Sequence, residues 1–196
     1  MKSRALLMLG ALALVTAPLV QASAPQEPLP LEYSAFAVST GGPRSGSVAT
    51  QIQMRVTRWS TKAEQDRLVR TLVDKGEEAL LDTLRETRPV GTISTPGELA
   101  YNLHYAAVEP GEDGGRHIVL ATDRPVSAWE VFNRPRLTDY PFTFIELHLN
   151  DDGEGQGKLA YAASVHPSYD GKTLELVNYQ TEPIQLKNVK ASQIED

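Results

Sequence analysis

The chain has 196 residues, 41% of them hydrophobic and 22% charged, with no cysteine and a formal net charge of −6. An acidic balance without a basic stripe excludes a phosphate-neutralising nucleic-acid binder, and aromatics at 7% are too sparse for a base-stacking platform. The absence of cysteine excludes a disulfide framework, so the fold must be held by its core, which a chain of this size can build.

The N-terminus reads as a segment apart. Lys2 and Arg4 precede an apolar run from Ala5 to Val15, interrupted only by Gly10, and Pro18 breaks that run ahead of small residues. This is the three-part pattern of a secretory signal peptide over residues 1–22, with a hydrophobic stretch too short to span a bilayer. Pro25 directly after Ala22-Ser23-Ala24 hinders cleavage there, so cleavage is expected after Ala22. Losing Lys2 and Arg4 leaves a more acidic chain, expected in the periplasm or outside the cell. No later run is long enough for a transmembrane segment.

Residues 23–30, with Pro25, Pro28 and Pro30, read as an extended linker, and residues 31–196 as a single globular domain. From Leu31 apolar and polar residues alternate, and they do so again from Val48 to Trp59 after a Gly/Pro/Ser loop, which predicts a hairpin. Thr61 followed by Glu64 can form a capping box. Leu68, Leu72, Leu80 and Leu84, with Val69, Val73 and Leu81 beside them, then give an apolar stripe at helical spacing. Gly76 interrupts it and Arg88-Pro89 ends it, so two helices are expected, Lys62 to Lys75 and Glu77 to Arg85.

The remainder reads as strands and turns. A short strand at Val90 to Ser94 is followed by Leu99 to Val108 and His117 to Thr122. Thr143 to Leu149 sets Ile145, Leu147 and Leu149 on one face and Glu146 and His148 on the other. A turn at Asp151 to Gly157 leads into Lys158 to Val165, and Asp170-Gly171 signals a hairpin before Thr173 to Tyr179. Ile184 to Val189 is the last strand. The expected class is α+β: mainly antiparallel β, about nine strands in a sandwich or curled barrel, with a helical insertion after the second strand.

The connection from Asp123 to Pro141 is the longest between strong strands, and it gathers Arg124, Trp129, Arg134, Arg136 and Tyr140. Guanidinium forks beside an indole suit a small anionic or amphipathic ligand, or a protein partner in the cell envelope. The competing reading has Trp129 and Phe132 plugging the end of the sheet while the arginines pair with Glu130 and Asp139. Among the histidines, His104, His117, His148 and His166, only His148 shares a strand face with a carboxylate, Glu146. That pair suits a metal-assisted hydrolase, but no spacing demands a third ligand, so neither a metal centre nor a cofactor is expected. The Asn150 to Gly157 run lacks the ligand spacing of a calcium loop. Gly42 to Ser47 does not match a nucleophile elbow.

The segment Ile118-Val119-Leu120-Ala121-Thr122-Asp123-Arg124-Pro125, followed by Trp129-Glu130 and Asp139-Tyr140-Pro141-Phe142, resembles a group of uncharacterised secreted bacterial proteins. The resemblance runs from the helix around Asp74-Lys75-Gly76 to the C-terminal strand. It implies export and a shared domain, and it carries over no catalytic or binding residue. The expectation is therefore an exported, non-enzymatic β-rich module that binds a ligand or envelope partner through the 123–141 loop. A periplasmic hydrolase using Glu146 and His148 and a structural assembly component stand as the alternatives.

Overall fold

The computed structural model describes residues 29–40, 47–111, 114–124, 141–162, 164–167, 174–177 and 183–194. Strands β1 (Leu31–Thr40) and β2 (Ser47–Val56) pair antiparallel along their whole length, with Leu31 opposite Val56 and Thr40 opposite Ser47. Their period-two pattern buries Leu31, Tyr33, Ala35 and Ala37 of β1 against Ile52, Met54 and Val56 of β2. Burial pushes the Tyr33 phenol well above its ordinary pKa.

Helices α1 (Lys62–Lys75) and α2 (Glu77–Glu86) follow β2 where the stripe places them. The capping box forms: the Glu64 amide donates to Thr61 Oγ1 at 3.2 Å, and the Thr61 amide donates to Glu64 Oε2 at 2.8 Å. Arg58, just beyond β2, grips the same carboxylate with both guanidinium nitrogens at 2.9 Å. That fork holds the Glu64 carboxyl down at about 2. Gly76 joins the helices at φ +84° and ψ −173°, a conformation closed to residues with a Cβ, although space for one exists.

The remaining strands are β3 (Gly91–Ser94), β4 (Tyr101–Leu103), β5 (Tyr105–Pro110), β6 (Arg116–Thr122), β7 (Phe142–Leu149), β8 (Glu154–Ala162), β9 (Ser164–Pro167), β10 (Leu174–Val177) and β11 (Ile184–Gln193). Nine of the strands form one antiparallel sheet in the order β4-β3-β2-β1-β11-β8-β7-β6-β5, while β9 and β10 pair separately. The two ends of that order, β4 and β5, are consecutive in the chain. The sheet therefore curls into a nearly closed barrel, the second of the two expected architectures.

Two elements differ from expectation. The strand expected over Leu99 to Val108 is divided at His104, because its first half pairs with β3 (Leu103 opposite Gly91) and its second with β6 (Tyr105 opposite Ala121). The His104 amide donates to the Ala121 carbonyl at 2.9 Å and carries the seam across. The strand expected over Lys158 to Val165 begins instead at Glu154 and ends at Ala162, with Val165 on β9 of the separate pair, so Gly155 and Gly157 are strand residues. A Cβ on Gly155 would lie 1.9 Å from the His148 carbonyl oxygen, and one on Gly157 would lie 2.3 Å from that of Glu146. The glycines permit a backbone approach that no other residue allows.

Inside the barrel, side chains such as Tyr33, Met54, Ile93, Leu120 and Leu147 are buried to within 1%. This is the filled interior expected of a barrel of roughly eight staves. A second apolar cluster lies outside the wall, where Leu68, Leu72, Leu80 and Leu84 of the helices pack on Phe142 and Val165, with Tyr105 and Phe144 at its edge. The Val165 amide also donates to Glu77 Oε1 at 3.2 Å. Val73, expected beside the stripe, is 53% exposed. Among the described residues no helix is long and apolar enough to cross a membrane.

Candidate metal centre on the outer wall

Strand β7 determines what its neighbours can do. Ile145, Leu147 and Leu149 point into the barrel, so Phe142, Phe144, Glu146 and His148 face outward. The helices cover the first two of these, and Glu146 and His148 remain open. On β6 the inward residues Ile118 and Leu120 leave His117 and Val119 facing out. The β6–β7 register sets His117 directly opposite His148 and Val119 opposite Glu146. Directly opposed residues on one face have their Cβ atoms about 5 Å apart, and diagonal ones lie within reach of long side chains.

The three polar side chains converge. The Nε2 atoms of His117 and His148 lie 2.9 and 3.2 Å from the same Glu146 oxygen, Oε1. The two rings stack with centroids 4.7 Å apart and planes inclined by 12°. One ligand atom from each residue lies within 4.8 Å of the others, and among the described residues no other three such groups converge so closely. Metal–ligand bonds of about 2.0–2.2 Å in a tetrahedron separate neighbouring ligand atoms by roughly 3.3 Å. The two Nε2–Oε1 separations, 2.9 and 3.2 Å, are hydrogen-bond-length contacts somewhat shorter than that value. His117 Nε2 donates to the Glu146 carboxylate, and His148 Nε2 lies beside the same oxygen. A bound ion would take the place of a proton between such groups.

His104 is built quite differently. Buried at the barrel seam, it points Nδ1 at the Thr87 carbonyl oxygen at 2.9 Å and Nε2 towards Asp123 at 3.7 Å, and Asp123 in turn meets Arg85 Nε at 3.2 Å. A carbonyl oxygen only accepts, so Nδ1 carries the proton. The ring ties the end of α2 to the end of β6. The side chain of His166 lies outside the described residues.

Of the loop residues expected to bind a ligand, Arg124 lies with its guanidinium 5.1 Å from the centre of the Tyr101 ring. Its carbonyl oxygen accepts from Thr143 Oγ1 at 2.8 Å. Trp129, Arg134, Arg136 and Tyr140 lie outside the described residues. Tyr101 packs against the barrel core, whereas Tyr105 and Phe144 pack against the helices.

Sequence reasoning paired Glu146 with His148 and missed His117, the residue that completes the set. A signal was present. His117 stands as far before Thr122 as His148 stands after Thr143, and those threonines bound the loop joining the two strands. Equal counts from the two ends of a hairpin connection place residues opposite one another.

No protein-family model, no curated protein and no solved structure matches this chain.

Proposed function

We propose that the protein is an exported β-barrel module that holds a divalent transition-metal ion, with zinc as the type case, between His117, Glu146 and His148. The observation that carries this reading is the convergence of two imidazole nitrogens on one carboxylate oxygen across a fixed strand register. Two imidazoles and a carboxylate form a borderline donor set suited to zinc and its neighbours rather than to calcium or magnesium. The ligands stand on adjacent strands whose inward neighbours Ile118, Ile145 and Leu147 are buried, so the scaffold holds them in place.

A metal-assisted hydrolase is the second reading, because three protein ligands leave a coordination position for water. An open depression of about 480 Å³ lies elsewhere on the sheet, on β1, β2, β8 and β11, and is lined by none of the three residues.

The test is a zinc titration of untagged protein in competition with a chromophoric chelator. One equivalent should bind, and His148→Ala and His117→Ala should each lower affinity by more than the roughly 10–100-fold cost of losing an outer-shell partner. Unchanged affinity in both variants rules the centre out. If zinc binds as stated, hydrolysis of ester, phosphoester and peptide probes by the zinc-loaded protein separates the two readings.

A further inference from the structure

The depression lies where β11 departs from regular pairing. Ser34 of β1 is opposite Lys190 and Phe36 is opposite Lys187, so Ala35 alone faces both Asn188 and Val189. On the other side Leu186 is opposite Gly157 and Val189 is opposite Gly155, so Gln156 alone faces Lys187 and Asn188. Asn188 is thus the extra residue in both ladders, and it sits at φ +50°, the one residue other than glycine with positive φ among those described. A β-bulge at such a position re-aims side chains, and backbone strain of this kind gathers where a ligand is held.

The side chains at this point form a mixed surface. Phe36 faces outward between two alternately buried neighbours and is 48% exposed, an aromatic ring with an open face. Around it stand Ser34, Gln51 and Asn188, which offer hydroxyl and amide groups, and the Lys190–Glu154 ion pair at 2.8 Å. That pair pulls the Glu154 carboxyl down and the Lys190 ammonium up, so the two charges lining the depression offset one another, while exposed Lys187, opposite Phe36, stands at its edge. The depression is open to solvent, with a volume of about 480 Å³.

Each of these features excludes something. A lining whose two charges are paired with one another does not by itself select a phosphate, a carboxylate or a cation, and an apolar ligand would leave the amides and the ion pair without use. A ligand that presents hydroxyls at its edge and a flat C–H face suits both the polar rim and the open ring. We propose that the depression around Phe36 and Asn188 is a binding site for an uncharged glycan, with Phe36 as the stacking platform and Asn188, Gln51 and Ser34 bonding to its hydroxyls. This site is separate from the metal centre, and neither depends on the other.

The test is two-dimensional NMR of the folded protein titrated with cellohexaose, chitohexaose and maltohexaose in turn. At least one should shift the amides of Phe36, Asn188 and Gly155 saturably, and Phe36→Ala should weaken that binding at least tenfold. Asn188→Gly is the discriminating variant. Glycine accepts positive φ more readily than asparagine, so a purely structural Asn188 would leave binding intact, whereas loss of its amide should weaken binding with no loss of thermal stability. The proposal is overturned if none of the three sugars shifts these amides, or if binding survives both substitutions unchanged.

Discussion

The outward face of β7 has two halves with different fates. Phe142 and Phe144 at one end are covered by α1 and α2, while Glu146 and His148 at the other end stay in contact with solvent. Strand β5 repeats the division, with Tyr105 under the helices and Glu109 exposed at its far end. A barrel whose interior is already filled gains nothing further from inside, so its helical insertion adds stability by covering wall. The uncovered wall is then free to carry polar groups, and there the strand register rather than burial gathers them. One half of the wall is packed under the helices, and the other presents polar groups to solvent.

This division is open to disproof. Leu72 is 5% exposed in the helical cluster, so Leu72→Ala should cost about 2–5 kcal/mol in denaturant unfolding. It should leave zinc affinity unchanged, and a parallel loss of affinity would show that the two halves act as one unit. Glu64 gives a smaller effect at the helical end. Its folded-state pKa of about 2 lies below the ordinary value of 4.5, so its contribution is present above pH 4.5 and fades as pH falls towards 2. The stability difference between wild type and Glu64→Gln, on the order of 1 kcal/mol, should therefore shrink over that window and be flat from pH 6 to 8.

What was legible in the sequence follows the range of the interactions concerned. The ends of α1 and α2 are written locally: Thr61 and Glu64 start the first helix, Gly76 separates the two, and Arg88-Pro89 lies just past the second. Alternation likewise assigned the two faces of β7. The division of the chain at His104 was not readable, because it depends on β3 and β6 claiming successive residues of one strand, and neither pairing is local. Gly155 and Gly157 follow Asp151, Asp152 and Gly153, and composition alone does not separate a glycine that turns the chain from one that admits a neighbouring backbone. At the candidate site, Glu146 and His148 were visible on one strand. His117 required the register of a second strand, and the bulge at Asn188 required two registers at once.

The metal centre is the central claim, and imidazole nitrogen NMR tests it most directly. In long-range ¹H–¹⁵N spectra recorded as one equivalent of zinc is added, the Nε2 signals of His117 and His148 should move together to metal-bound values while those of His104, fixed between Thr87 and Asp123, stay in place. Unmoved His117 and His148 signals, or a zinc response centred on His104, would contradict the account.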